Sequence, residues 1–351
     1  MADFSEYGHL TQQFLELQKT LPTSLKPGLE DAKKSTNDGR EKASREEMQT
    51  LASQVVLQDY HIPTRDNVAL EARTCRAKSM PAESQAPLYI HLHGGGFFFG
   101  TLDSEHANCS RVAIGAPVVV LNVNYRHTPE IAYPTPFNDA EDAFEWAYAH
   151  FEALGFDRKR IIVGGISAGS WILSSLVQGK ETRRTPSSNS IIGQILMAPP
   201  TIHYDHYDSH IHRLANPEVS SYVQNKDAPT LSKAAIDRYN NLLFPSGASD
   251  DRRTNPGNAT AEEAKGLPPA VFGICGADPL RDEGLMYAQL LASSGVPTNV
   301  HVYKGLPHGF RRRFGARLQE ACDAWDATIT EGIRWILSEP EATEEIQIKV
   351  H

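Results

Sequence analysis

The amino-acid sequence predicts an α/β fold, a mainly parallel sheet of about eight strands flanked by helices. Three observations carry this. Short runs rich in Val and Ile recur along the chain, as expected of strands covered on both faces. Helical patterns fill the gaps between the later runs, and strand alternating with helix means crossover connections between parallel strands. The composition is that of an ordinary globular protein. Of the 351 residues 40% are apolar and 22% charged, which suits one large α/β domain with an elaboration and excludes a disordered, collagen-like or coiled-coil chain.

Residues 1–50 read as mostly helical and hydrophilic. Leu10, Phe14 and Leu17 fall at helical spacing, a Pro-marked break follows at Leu21-Pro22 and Lys26-Pro27, and a charged stretch runs to Glu47. The segment has too few apolar residues for a core of its own and must rest on something else. Strands are then expected at Val55–Ile62, Val68–Cys75, Leu88–His93, Val118–Val123, Arg160–Gly164, Ile191–Met197, Ala270–Cys275 and Asn299–Tyr303. Between them Ala140, Ala143, Phe144, Ala147 and Phe151 share a helical face, as do Leu318, Cys322, Trp325, Ile329, Ile333 and Ile336. Residues 200–266, rich in His, Tyr, Asn, Asp and Pro, interrupt the rhythm and read as an insertion beside the sheet. The sheet domain then comprises residues 51–199 and 267–351.

The formal net charge of −9 argues against a nucleic-acid partner, which would need a basic footprint. The dense basic cluster Arg311, Arg312 and Arg313 reads as a solvated face. Cys75, Cys109, Cys275 and Cys322 lie far apart with no Cys-x-x-Cys, so buried reduced thiols are expected rather than a zinc knuckle or redox pair. The polar, acidic N-terminus lacks the features of a secretory signal, and no apolar run approaches the length of a membrane span. A cytoplasmic address is expected.

The strongest chemical signal is Gly165-Ile166-Ser167-Ala168-Gly169, directly after one expected strand and before a helical run to Gln178. In that setting Gly-x-Ser-x-Gly is a nucleophile elbow, a turn so sharp that side chains at its flanks would collide. His93-Gly94-Gly95-Gly96-Phe97 closes an earlier strand. Three successive glycines bare backbone N–H groups, which is what a developing oxyanion needs. Downstream, Asp278-Pro279-Leu280-Arg281-Asp282-Glu283 follows a strand and His308-Gly309-Phe310 follows the next. Serine, acid, histidine is the chain order of an α/β-hydrolase, with histidine taking the serine proton and the carboxylate fixing its tautomer. Each residue alone has a plainer use. Asp278 before Pro279 suits a helix start, and His308 is one of 14 histidines. The four signals together, in order, point to catalysis.

On these motifs, and on Tyr125-Arg126-His127-Thr128-Pro129-Glu130, the chain resembles the hormone-sensitive-lipase-like, His-Gly-Gly-Gly family of α/β-hydrolase carboxylesterases over roughly residues 85–335. Its long polar N-terminus is similar to that of esterases of fungal secondary metabolism. The resemblance implies Ser167 as nucleophile, Asp278 as acid and His308 as base. It also implies an oxyanion hole from the N–H groups of Gly95, Gly96 and Ala168, with Gly94 shaping the turn. A helical cap is implied at residues 1–50 and 200–266, with the Leu10, Phe14 and Leu17 face over the mouth of the site. The chain departs from the family at Ile166, where a polar residue is usual, and in Gly305-Leu306-Pro307 before His308.

The expected reaction is hydrolysis of a carboxylic ester through an acyl-serine, without cofactor or metal. An acyltransferase or carbon–carbon bond-processing enzyme on the same scaffold, and a ligand receptor on a hydrolase fold, remain alternatives; the complete Ser, Asp and His set counts against the receptor. The expected partners are a small-molecule ester and, in a homodimer, a second copy of the chain. Phe97, Phe98 and Phe99, with Tyr204, Tyr207 and Tyr222, suggest an apolar or aromatic-friendly pocket, although core packing serves the phenylalanines equally well. On a helix His203, His206 and His210 would share a face, but their spacing matches no established zinc motif and the chemistry needs no metal, so they read as a polar cap segment.

Overall fold

The computed structural model describes residues 1–20, 29–81, 84–183, 185, 187–248 and 251–351; the break expected at Leu21-Pro22 and Lys26-Pro27 lies outside them. The eight expected strands are present as β1 (Val55–Pro63), β2 (Ala69–Ala77), β3 (Ala86–Leu92), β4 (Val119–Val123), β5 (Phe156–Ile166), β6 (Ile191–Met197), β7 (Ala270–Ala277) and β8 (Thr298–Pro307). Sequence reasoning missed β9 (Ile348–Val350), which lies parallel beside β8. The sheet order is β1-β2-β4-β3-β5-β6-β7-β8-β9. Pairing is antiparallel at β1/β2 and β2/β4 and parallel elsewhere. Burial follows position: β3, β4 and β7, inside the sheet, are buried at every residue, whereas the edge strand β1 is mostly exposed.

The N-terminal segment forms α1 (Gln12–Lys19) and α2 (Leu29–Leu51). Next come α3 (His106–Gly115), α4 (Thr135–Ala149), the single turn α5 (Phe151–Leu154) and α6 (Ala168–Arg183). The helical face expected to run from Ala140 to Phe151 stops at His150, whose backbone leaves the helical region, so Phe151 opens α5 and is only partly buried. Residues 200–266 carry the short helices α7 (Asp208–Ile211), α8 (Ser221–Gln224), α9 (Lys233–Leu243) and α10 (Ala261–Ala264). The chain closes with α11 (Arg281–Ser293), α12 (Phe310–Phe314) and α13 (Gln319–Leu337). One face of the sheet is covered by α3 and α13, through Val112, Trp325, Ile329 and Ile333. The other is covered by α4, α6 and α11, through Phe144, Leu173 and Leu285. The four cysteines are buried free thiols.

Buried Glu283 of α11 ties the 200–266 segment to the sheet domain. Its Oε2 accepts from the N–H groups of Thr201 (2.7 Å) and Ile202 (2.9 Å), and its Oε1 accepts from the Tyr222 hydroxyl at 3.0 Å. Burial nonetheless pushes the carboxyl up to about 8.

Three buried histidines make the fold acid-sensitive. Burial pushes His93, His210 and His301 down to about 4, so each imidazole is neutral in the folded protein. Their folded values lie below that of the unfolded chain, which therefore takes up these protons first. The stability they carry is present above about pH 6.5 and is lost as pH falls toward 4, on the order of 3 kcal/mol for each at the limit. Glu283 works in the opposite sense between about pH 4.5 and 8, one group against three. Net of Glu283, about 3 kcal/mol is lost between pH 7.5 and 5, so thermal unfolding is expected about 4 °C lower at pH 5. An unchanged Tm by differential scanning calorimetry would contradict the neutral assignments.

Candidate active site

The end of β5 and the start of α6 hold Ser167 between them at φ 54°, a left-handed backbone that a non-glycine residue adopts only where its surroundings impose it. Here the Ser167 N–H is tied to the carbonyl of Met197 on the neighbouring strand at 2.7 Å. Gly169 shows why the turn needs glycine, because a Cβ there would stand 2.1 Å from the Leu92 carbonyl oxygen of β3. The turn leaves the Ser167 hydroxyl clear of the sheet and facing His308.

His308 follows β8 and Asp278 follows β7, so two neighbouring strands bring an imidazole and a carboxylate to the same end of the sheet as Ser167. His308 Nε2 lies 2.9 Å from Ser167 Oγ, and His308 Nδ1 lies 2.6 Å from Asp278 Oδ2. A carboxylate can only accept, so Nδ1 carries the ring proton and Nε2 is left to accept from the serine hydroxyl. Asp278 is 1% exposed and its other oxygen accepts from the Leu280 N–H at 3.0 Å, which fixes its plane. Asp282, the other aspartate of that motif, points elsewhere: it pairs with buried Arg281 at 2.7 Å and accepts from the Ser221 N–H at 2.6 Å.

The glycine loop after β3 passes beside the elbow. Gly95 has φ 150°, and a Cβ there would meet the Phe99 carbonyl oxygen at 2.1 Å, so the loop closes on itself only with glycine. The N–H groups of Gly95, Gly96 and Ala168 have no acceptor among the described residues. All three residues line, with Ser167 and His308, a cavity of about 560 Å³. These donors suit an oxyanion formed at a carbonyl under attack by Ser167.

The walls of the cavity were only partly legible in the sequence. Phe97 and Phe99 line it, while Phe98 is buried against Phe99 and Tyr239, so the three phenylalanines divide between pocket and packing. Ile166, Trp171, Leu231, Ile236 and Tyr239 also line it. Trp171 was within reach of sequence reasoning, since it stands four residues after Ser167, in the first turn of the helix that follows. Tyr204, Tyr207 and Tyr222 do not line it; they stack on one another in the cluster that backs Leu231 and Ile236. The expectation for the N-terminal face also needs correction. Phe14 is buried edge-to-face on Phe314 at 5.1 Å, with Leu10 and Leu17 packed into the same core, and none of the three lines the cavity. The polar helix α2 faces it instead. Its Arg40 donates to the Gly94 carbonyl at 3.1 Å, Asn37 accepts from the Gly100 N–H at 2.9 Å, and Ser44 accepts from the Ala107 N–H at 3.1 Å. Arg311, Arg312 and Arg313, expected on a solvated face, line the cavity too, and of the three only Arg313 is exposed.

His203, His206 and His210 share no helix. His203 precedes a tight turn at Tyr204–His206 and accepts from the Asp205 N–H at 3.2 Å, whereas His210, in α7, lies 3.3 Å from the Gly257 carbonyl. Among the described residues no three His, Cys, Asp or Glu side chains gather as a metal would require, and no helix there is long and apolar enough to cross a membrane.

A family model of the α/β-hydrolase fold matches residues 89–312. The chain is 36% identical to esterase LipI of Mycobacterium tuberculosis over 234 residues, 66% of this chain and 67% of that one. It is 30% identical to versiconal hemiacetal acetate esterase of Dothistroma septosporum over 256 residues, 72% and 74% of the two chains. Among solved structures it superposes on a vibralactone cyclase with a TM-score of 0.83 and 27% identity, covering 95% of this chain and 96% of that one. By matched sequence the chain belongs to the hormone-sensitive-lipase-like family, on the α/β-hydrolase fold.

Proposed function

We propose that this chain is a serine carboxylesterase acting on esters of small to medium, apolar or aromatic acyl groups. The observation that carries the reading is the hydrogen-bonded series Ser167, His308, Asp278, at 2.9 and 2.6 Å, beside the unpartnered N–H groups of Gly95, Gly96 and Ala168. Ser167 Oγ attacks the ester carbonyl carbon while its proton passes to His308 Nε2, and Asp278 steadies the imidazolium through Nδ1–H. The carbonyl oxygen, now anionic, accepts from the three backbone N–H groups. The bond to the alcohol oxygen then breaks, the alcohol leaves with the proton held at Nε2, and the acyl group stays on Ser167. Water adds to this acyl-serine, giving a proton to His308. That proton returns to Ser167 Oγ as the carboxylic acid departs.

Residues 1–50 and 200–266 act as the cap in this proposal, an assignment supported by α2 and α9, both of which contribute to the cavity wall. Phe97, Trp171, Leu231 and Ile236 supply the apolar side that supports the acyl preference. A cytoplasmic address is supported by the four free, buried thiols.

The TM-score of 0.83 to a cyclase favours a second reading, in which a hydroxyl replaces water as the acyl acceptor. Incubation with p-nitrophenyl acetate through octanoate, with and without an added alcohol, separates the two. Hydrolysis predicts free acid as the main product in both cases, and transfer predicts the new ester as the main product once the alcohol is present. A serine-directed organophosphate is expected to add one adduct, mapped to the peptide containing Ser167. Labelling at another residue, or inertness toward every ester, overturns the proposal.

A further inference from the structure

The cationic wall of the cavity is only partly neutralised. Arg111 pairs with Glu47, and with Asp326 at 3.0 Å; Arg311 pairs with Asp326 at 2.7 Å. Arg312 pairs with buried Glu105, yet its Nη1 is itself buried without a hydrogen-bond partner among the described residues. Arg40 stands apart. Among the described residues no carboxylate lies within ion-pair distance of it, and its guanidinium is held by the Gly94 carbonyl and the face of Phe99. Burial, and then the like charge of Arg312, pull Arg40 down to about 9 against the opposing charge of Glu105, so the cation is only partly compensated.

The position of Arg40 matters as much as its charge. Gly94, whose carbonyl it holds at 3.1 Å, packs against the nucleophile: a Cβ on Gly94 would lie 3.2 Å from Ser167 Cβ. Gly94 thus meets the guanidinium through its carbonyl and Ser167 through its Cα. A planar guanidinium with free N–H groups, beside a second arginine that has an unfilled donor, matches the fork geometry of a carboxylate. In a chain of net charge −9, such a wall also stands against the overall field of the protein.

From this arrangement we infer that the substrate is an ester carrying a free carboxylate near the scissile bond, and that Arg40, with Arg312 beside it, selects it. The inference rests on the esterase reading above and narrows its substrate class. The apolar side takes the hydrocarbon body, and the α2 side takes the anion.

Two matched pairs test it: monoethyl glutarate against its ethyl methyl diester, and 4-(butanoyloxy)butanoate against its methyl ester. The full-length protein is expected to show higher kcat/KM for the acid in at least one pair, a preference that weakens as ionic strength rises. Arg40→Gln, which keeps an N–H donor for the Gly94 carbonyl, is expected to lower the acid-to-neutral ratio of kcat/KM about ten- to a hundredfold. Arg40→Lys is expected to restore part of it. If the wild type hydrolyses the neutral esters and prefers them in both pairs, the inference fails while the esterase reading stands. The same holds if Arg40→Gln slows acid and neutral esters equally, because a contact that only holds the loop would do that. If no ester is hydrolysed and no organophosphate labels Ser167, the esterase reading itself fails.

Discussion

Ser167→Ala leaves a folded protein whose kcat toward p-nitrophenyl butanoate is lower by roughly four to six orders of magnitude. The fold should be indifferent because what holds the residue at φ 54° is backbone: its N–H bonds to Met197 and its carbonyl accepts from the Trp171 N–H at 3.1 Å. The hydroxyl contributes one contact, at 2.9 Å to His308 Nε2, and among the described residues no other hydroxyl or thiol hydrogen-bonds the same imidazole. Residual turnover then reflects only the oxyanion donors and a water activated by His308. Steady-state kinetics paired with a thermal melt reads both halves of this expectation. Appreciable activity in the variant would mean that the acyl group is carried elsewhere.

The second large effect separates two buried aspartates that lie four residues apart on the chain. Asp278→Asn is expected to lower kcat by about 10⁴. The amide that replaces the carboxylate offers a donor toward His308 Nδ1, which turns the ring proton to Nε2 and removes the acceptor Ser167 needs. Asp282→Asn acts on a different quantity. It weakens the pair with Arg281 and the bond from the Ser221 N–H, both of which hold residues 217–224 against α11. Loss of stability on the order of 3 kcal/mol is expected, with turnover per folded molecule changed little by comparison. If Asp282→Asn cripples kcat while Asp278→Asn is mild, the acid has been misassigned.

What could be read in the sequence and what could not divide along the range of the interactions. The elbow at Ser167, the glycine loop at 94–96 and the strands on either side are local: a few adjacent residues state the turn, and the strand before it states the setting. Asp278 and His308 were readable because each follows its own strand, so chain order alone places them at one end of the sheet. The cavity walls lacked any such local statement. Arg40 meets Gly94 from 54 positions away along the chain, and α2 looks like a solvated charged helix because its polar side chains bond to backbone groups of a distant loop. The reverse error occurred at Leu10, Phe14 and Leu17, where an apolar face was correctly seen but its partner, Phe314, lies near the other end of the chain. Three residues of β9, half-exposed or exposed at the border of the sheet, carry too little pattern to distinguish them from a tail.

That the nucleophile, base and acid stand on the sheet while the opposing wall comes from α2 has a consequence for how such a protein diversifies. On the reading proposed above, the reacting groups are anchored to the buried sheet, whereas the opposing wall is a helix held to it by side-chain contacts such as those of Asn37, Arg40 and Ser44. If that reading holds, new esters can be explored by altering α2 alone, with the hydrolytic step kept intact. Grafting an α2 from one relative onto the sheet of another, with the anchors Asn37 and Ser44 retained and position 40 free to vary, becomes a practical way to build enzymes of chosen selectivity from a single scaffold.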